Sequence, residues 1–346
     1  MKVSGPSLLT RYAPTPSGFL HAGNAWSFLL TWLIARSQGG KIHLRIDDID
    51  AARFRESYLG DIFASLEWLG LDWDSGPQNP AEFHASYTQR RRRDQYRSAL
   101  DLLVTQRAPE GPRVYACACS REDVKRASLA AGRPGIYPGT CRDLGLPVVP
   151  ANLWQSGKGL SSPDREPVLR VRVPENTEIA LADEAAGAVK LYPGRDIGDF
   201  VIWQRNGEPS YQLTSVVDDE SLGVNMVVRG RDLLPSTGAQ IYLSQCLTAR
   251  AFTQACFYHH GLVLGPDREK LSKSSGAALP AEAATLQALR NQSQGRAELY
   301  ALFAKWFGID EARKPLNPQD FLRELGTKGI SGHPCLMDDF PYSHLT

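Results

Sequence analysis

The run Pro14-Thr-Pro-Ser-Gly18 cannot pair in a sheet, yet it separates two stretches that read as regular structure. Leu8 to Ala13 reads as a short strand, and the prolines that follow lack the amide hydrogen a β-ladder needs. Beyond the loop, Trp26, Leu29, Leu30, Leu33 and Ile34 recur at helical spacing, which predicts a helix over 24–37. Gly39-Gly40 would end it as a C-cap. Lys41 to Asp47 then places Ile42, Leu44 and Ile46 on one face, as a strand does. Strand, glycine loop, helix and strand in succession make a βαβ unit. The expected fold class is therefore α/β, with a parallel sheet of the doubly wound, nucleotide-binding kind.

The rest of the chain fits around that unit. Residues 54–107 read as helical, with a break near Gly76-Pro77. Residues 111–195 are rich in Gly and Pro and hold Cys117, Cys119 and Cys141, the texture of an inserted subdomain. Sheet character returns at Asp199 to Gln204, and Asn206-Gly207 is a strong hairpin signal. Ser210 to Asp218 and Asn225 to Gly230 are expected as strands. A helix capped by Ser236 or Thr237 is expected to run to about Arg250. Leu286, Leu289, Leu299, Leu302, Phe303 and Trp306 predict helix in the last part, and 329–346 is polar and expected to be loosely ordered. The expected division is a catalytic domain of 1–110 and 196–262, an insert of 111–195, a loop region of 263–285 and a short helical tail of 286–346 whose role is open.

Two loops carry chemistry. The first, Pro14 to Asn24, lies where a helix begins, and a helix N-terminus offers unpaired amides and partial positive charge to an anion. Gly18 and Gly23 would let backbone approach a phosphate, and His21 would donate to one. Their spacing matches a Walker loop, but Asn24 stands where that motif needs Lys. A plain turn between strand and helix would read the same way. The second loop, Gly265 to Gly276, carries Lys270 and Lys273 among serines, a donor set suited to a triphosphate during nucleotidyl transfer. Alone, it also reads as an exposed basic loop.

Together the loops resemble the HIGH and KMSKS motifs of class I aminoacyl-tRNA synthetases, here His21-Ala-Gly-Asn24 and Lys270-Leu-Ser-Lys-Ser274. Arg11-Tyr-Ala-Pro-Thr-Pro-Ser-Gly-Phe-Leu-His21, Arg45-Ile-Asp-Asp-Ile-Asp50, Pro209 to Leu213, Val217-Asp-Asp219 and Val228-Arg-Gly-Arg-Asp232 narrow the resemblance to the glutamyl and glutaminyl branch. It implies a class I synthetase Rossmann-type sheet with a zinc-containing insert and a short helical C-terminal region. It also implies that ATP, with Mg²⁺, activates glutamate as an adenylate. His21 and Lys273 would be catalytic. Pro14, Gly18, His21, Gly23, Asn24, Lys270 and Lys273 would bind ATP. Arg11, Tyr12, Ala13, Pro14, Thr15, Asp47, Tyr211 and Arg229 would bind glutamate, with the arginines on its carboxylates and Asp47 on its α-ammonium. Asp47 stands where the family usually has Glu, and Asn24 replaces the last His of HIGH.

Three thiols in a Gly/Pro-rich region suggest a structural zinc site, although spacing alone leaves a fourth ligand missing. Tyr137 is one candidate, and a buried core tyrosine is the other reading of it. The Cys-x-Cys, Tyr, Cys arrangement resembles that of glutamyl-queuosine tRNA(Asp) synthetases. That resemblance implies Cys117, Cys119, Tyr137 and Cys141 as ligands of one Zn²⁺ per chain. It also explains length: with 346 residues in all, 72 follow Ser274, too few for a large anticodon-binding portion. Transfer of glutamate to the queuosine base of tRNA(Asp) is the expectation, with an atypical glutamyl-tRNA synthetase as the alternative.

Bulk properties agree. A net charge of +1 leaves any nucleic-acid argument to local clusters such as Arg90 to Arg93, which reads equally as a solvated helix face. No apolar run is long enough to span a membrane, and the motif beginning at Arg11 leaves no room for a signal peptide. A cytoplasmic monomer is expected, with reduced cysteines.

Overall fold

The computed structural model of the chain describes residues 7–109, 111–148, 167–264, 285–310, 313, 315–325, 330 and 339–341. Strand β1 (Leu9–Tyr12) runs parallel to β2 (Lys41–Leu44), with Arg11 opposite His43. Between them, helix α1 (Ala22–Ser37) starts two residues earlier than its apolar pattern suggests, because His21 caps it. It is buried on nearly every side, Trp26, Leu29, Leu30 and Leu33 included. Strand β2 stops short of Asp47, since Arg45 and Asp47 turn their side chains on each other. The expected helical stretch of 54–107 is divided. Helix α2 (Glu56–Leu69) ends at left-handed Gly70, then a π turn (Phe83–Tyr87) and a 3-10 turn (Gln89–Arg92) lead into α3 (Arg93–Thr105).

The insert begins with β3 (Val114–Cys117) and α4 (Arg121–Ala130), the latter closed by a Ser120/Asp123 capping box. Strand β4 (Val168–Val171) pairs antiparallel with β3. The expected insert of 111–195 contributes to two sheets. Strands β5 (Ile179–Asp183) and β6 (Gly187–Leu191) form a hairpin that joins the main sheet, whereas β7 (Val201–Trp203) pairs with β4. Asn206-Gly207 turns as expected, with Gln204 N donating to Glu208 O at 2.8 Å.

Ser210 to Asp218 is not a strand. It opens helix α5 (Tyr211–Leu222), with Ser210 as N-cap and left-handed Gly223 as C-cap. Leu213 and Val216 are spaced i, i+3 and both are buried, which is a helical and not an alternating pattern. Strand β8 (Met226–Gly230) follows, then α6 (Leu234–Leu247), which starts before Ser236 with Pro235 in its first turn. Thr237 is inside that helix, its Oγ1 3.0 Å from Leu233 O, and does not cap it. Strand β9 (Cys256–His260) lies parallel to β8 on one side and to β5 on the other. Asn225 ties β8 to β1, its amide N donating to Leu9 O at 3.0 Å and its side-chain oxygen accepting from Leu9 N at 2.8 Å. The carboxyl ends of β1 and β8 thereby face the same crevice, where a parallel α/β sheet binds ligands.

Strand β10 (Val263–Leu264) precedes the lysine loop, whose residues 265–284 lie outside the described residues, as does most of 329–346. After it come α7 (Gly295–Trp306), α8 (Pro318–Leu325) and β11 (Phe340–Pro341), the last running parallel to β10. These C-terminal helices share one apolar core with the first βαβ unit. Trp26 of α1 meets Phe303, Trp306 and Phe307 at centroid distances of 5.3, 5.0 and 5.0 Å. The tail is thus part of the scaffold behind the first loop. Among the described residues, no helix is long and apolar enough to cross a membrane. Phe303→Ala removes a fully buried ring from this junction and is expected to lower unfolding stability by about 3–5 kcal/mol. A urea midpoint lowered with unchanged slope would show it; a loss below about 1 kcal/mol would mean that the tail folds apart from α1.

Candidate active site

A cavity of about 440 Å³ opens at the carboxyl ends of β1 and β8. Its walls include Arg11, Tyr12, Ala13, Pro14 and Thr15 from the first strand and loop, His21, Gly23 and Asn24 from the start of α1, and Tyr211 and Arg229 from α5 and β8. At the helix start, Nδ1 of His21 accepts from Gly23 N at 3.1 Å, while Asn24 Oδ1 accepts from His21 N at 3.1 Å. The residue that departs from the HIGH pattern therefore completes a capping box. The fold-back is close: a Cβ at Gly23 would meet His21 Cε1 at 3.0 Å and press the ring back by a few tenths of an ångström. Gly18 belongs to the same loop but is not on the cavity wall.

Behind the wall lies a buried ionic network. Asp219 of α5 accepts from Arg11 Nε at 3.1 and 3.2 Å and from Arg45 Nη1 at 2.6 Å. Arg45 turns its other edge to Asp47, at 2.7 and 3.1 Å. Neighbouring Asp218 accepts from Arg92 at 2.8 and 2.9 Å, from Gln89 at 2.9 Å and from the Tyr96 hydroxyl at 2.7 Å. Burial pushes the Asp218 carboxyl up, but Arg92 and Arg45 outweigh it and hold it below its ordinary value. For Asp47 burial prevails and its carboxyl is raised. Asp47 is thus engaged by Arg45 and is not on the cavity wall.

Arg229 is in a different situation. It is buried, 5% exposed, and among the described residues no carboxylate stands at ion-pairing distance from it. Its guanidinium donates to Gln240 Oε1 at 2.9 Å and Thr237 Oγ1 at 2.7 Å, and its Nε is 3.4 Å from His259 Nε2. Burial pushes its pKa down. A buried cation surrounded by neutral acceptors is costly unless an anion completes it, and this one opens on the cavity. Tyr211, half-exposed at the first turn of α5, shares that wall.

Lys270 and Lys273 fall outside the described residues. The chain on either side of their loop is anchored at the cavity: Val263 lines it, and Thr285 bridges to His21 while Leu286 N donates to Leu20 O at 2.7 Å.

In the insert, Cys117, Cys119 and Cys141 place their sulfurs within 4.8 Å of one another. The Tyr137 hydroxyl lies 3.3 Å from Cys117 Sγ and 3.9 Å from Cys119 Sγ. Burial and the adjacent Cys141 push the Cys119 thiol up to about 12. Thiols crowded in this way ionise together only beside a cation, and three sulfurs with one oxygen suit Zn²⁺. The donor set fits that metal, and Arg170 stacks over the Tyr137 ring at 3.8 Å.

Sequence reasoning missed the partners that hold these side chains. Asp219 and Arg45 stood in motif blocks without an assigned role, Thr237 was expected only as a helix cap, and Gln240, His259 and Asp183 went unnoticed. Arg53, Asp232 and His260 also line the cavity. Polar residues in otherwise buried strands, as in Cys256–His260, were the available signal.

The profile described as tRNA synthetases class I (E and Q), catalytic domain, matches residues 7–292. The chain is similar to a glutamyl-Q tRNA(Asp) synthetase of Symbiobacterium thermophilum, 39% identical over 333 residues that cover 94% of this chain and 95% of the relative. One of Nitratidesulfovibrio vulgaris is 36% identical over 330 residues, 94% of each chain. A glutamate–tRNA ligase of Symbiobacterium thermophilum is 40% identical over 271 residues, but these are 78% of this chain and only 52% of that relative. The fold is shared with a crystal structure of a glutamate tRNA ligase from Elizabethkingia meningosepticum, with a TM-score of 0.68 at 22% identity, covering 96% of this chain and 67% of that one. The βαβ unit, the cavity at its carboxyl edge and these matches agree: the chain belongs to the class I tRNA synthetases of the E and Q branch, and is a ligase of that kind.

Proposed function

We propose that the chain activates glutamate with ATP and transfers it to the queuosine base of tRNA(Asp). The observation that carries the glutamate site is Arg229, a buried guanidinium without a carboxylate among the described residues, opening on a cavity shared with Arg11 and Tyr211. The choice of acceptor rests on relatives named glutamyl-Q tRNA(Asp) synthetase, which this chain matches over nearly their whole length.

In this reading Arg229 and Arg11 hold the substrate carboxylates by charge-assisted hydrogen bonds, and Tyr211 adds a hydroxyl. Tyr12, Ala13, Pro14 and Thr15 form the floor beside the substrate backbone. Asp47, held by Arg45, reaches the α-ammonium through water or after a shift of the substrate. ATP lies over the start of α1, with its phosphates at the Pro14 to Asn24 loop and His21, and Lys270 and Lys273 come from the lysine loop. An oxygen of the glutamate α-carboxylate bonds to the α-phosphorus, and the bond to the pyrophosphate leaving group breaks. Glutamyl-adenylate and pyrophosphate result. A hydroxyl of the queuosine cyclopentenediol then attacks the activated carbonyl, loses its proton and displaces AMP. The protein supplies alignment and charge stabilisation. Cys117, Cys119, Tyr137 and Cys141 would hold Zn²⁺, which fixes the fold of the insert.

Arg229→Leu is expected to raise the KM for glutamate about 100-fold, because a charged hydrogen-bonding partner is lost. Glutamate-dependent exchange of pyrophosphate into ATP measures it, and a KM within about twofold of the parent would remove Arg229 from the site. Freshly purified protein is expected to contain zinc, and Cys141→Ser to lose it. Metal analysis showing no zinc in either would eliminate the thiolate site. Labelled glutamate with ATP should go to tRNA(Asp) that carries queuosine and not to the same tRNA without it. Label on tRNA(Glu) instead would establish the alternative, charging of the 3′ end of tRNA(Glu).

A further inference from the structure

The guanidinium of Arg229 is not held by neutral groups by chance. Behind it, Thr237 Oγ1 is 2.7 Å from His259 Nε2, and His259 Nδ1 is 2.6 Å from Asp183 Oδ2. Both members of that pair are fully buried. The other oxygen of Asp183 accepts from Ala186 N at 2.8 Å, Ala185 N at 3.0 Å and His259 N at 3.3 Å. A carboxyl oxygen with three amide donors cannot carry a proton. Burial pushes Asp183 up, but the bonds from His259 and Ala186 outweigh it and keep its pKa low. Burial also pushes His259 down, so its ring is neutral near pH 7.

These conditions determine the tautomer. Asp183 is an ionised acceptor, so the ring hydrogen sits on Nδ1 and the lone pair on Nε2. Every donor in the row then points the same way, from Arg229 to Thr237, from Thr237 to His259, from His259 to Asp183, with the single Thr237 hydrogen going to the imidazole at 2.7 Å and not to Leu233 O, its other acceptor in reach, at 3.0 Å. The opposite tautomer would set an N–H against the Nε–H of Arg229 and leave Asp183 facing a bare lone pair. A carboxylate placed directly on Arg229 would neutralise it and compete with an incoming anion. One imidazole and one hydroxyl away, Asp183 orients the guanidinium while leaving its charge for a ligand.

We infer that Asp183, His259 and Thr237 are positioning residues for substrate-carboxylate recognition: they fix the acceptor face on which Arg229 rests, and so set both glutamate affinity and the preference for glutamate over glutamine. This rests on the assignment of Arg229 to a substrate carboxylate. The three residues come from β5, β9 and α6, and none of them lines the cavity.

The test is glutamate-dependent pyrophosphate exchange with Asp183→Asn, Thr237→Val and Arg229→Leu, with glutamine as competing amino acid. Asp183→Asn offers an amide N–H to Nδ1 and so favours the wrong tautomer. Thr237→Val keeps the shape of the side chain and removes the first link, which covers the case in which the buried Asn variant does not fold. Asp183→Asn and Thr237→Val are each expected to raise the KM for glutamate about 10-fold, against about 100-fold for Arg229→Leu, and to narrow the glutamate-to-glutamine ratio, with the KM for ATP within about twofold. A merely structural role would lower kcat, or both KM values together, without changing the ratio. If Arg229→Leu raises the glutamate KM but Thr237→Val and every folded Asp183 variant leave KM and ratio unchanged, the positioning role is wrong. If Arg229→Leu also leaves them unchanged, the carboxylate site itself is wrong and the positioning role falls with it.

Discussion

Asp219 is the residue on which the two halves of the molecule meet. Its single carboxylate receives Arg11 from the end of β1 and Arg45 from just past β2, and it projects from a helix that begins nearly two hundred residues later in the chain. Ion pairs this deeply buried add little net stability over an apolar core, because desolvation cancels much of the attraction. Breaking one is another matter, since the abandoned charge remains buried, at a cost of about 3–5 kcal/mol. The network therefore specifies more than it stabilises. The docking of α5 against β1 and β2 satisfies Arg11, Arg45 and Arg92 at once, and it brings Tyr211, at the start of the same helix, to the cavity wall.

The same crevice is braced from behind by groups with no charge. Trp26 in α1 packs on Phe303, Trp306 and Phe307, so the helix that begins at His21 cannot tilt without disturbing α7. On its second side the loop is held by polar contacts: Asp61 of α2 accepts from Leu20 N at 2.9 Å and pairs with Arg290 at 2.9 Å. Asp61 and residues that follow the lysine loop thus hold the first glycine loop and its helix. That suits the phosphate site proposed for this loop, because amide donors catalyse by being held in place before the ligand arrives.

Legibility in the sequence followed the physical range of each interaction. The βαβ unit was readable because strand alternation, helical spacing and the prolines at 14 and 16 are local signals that agree. The cysteine cluster was readable in kind, and its fourth neighbour only through a family likeness. Helix α5 was misread as a strand because Tyr211, Thr214, Val216 and Val217 are residue types enriched in strands. What separates the two readings is Ser210 as cap, Gly223 as stop and the need of Asp218 and Asp219 to face distant arginines. The hairpin Ile179–Leu191 was assigned to the insert by its composition, yet it pairs with β9, a choice made by a strand more than seventy residues away. No local rule contains that information.

The contrast between the two arginines of the cavity shows how one fold prepares cations for different duties. Arg11 rests directly on the carboxylate of Asp219, which fixes its position and offsets its charge. Arg229 rests on an amide oxygen, a hydroxyl and an imidazole, which fix its position and leave its charge intact. Since attraction between charges grows as water is excluded, the second arrangement gives the stronger hold on an incoming anion and the greater penalty when none is present. Under the proposed assignment of Arg229 to a substrate carboxylate, selectivity for a carboxylate over a neutral amide of the same shape follows from that penalty: glutamine would leave Arg229 buried and uncompensated, whereas glutamate would complete it.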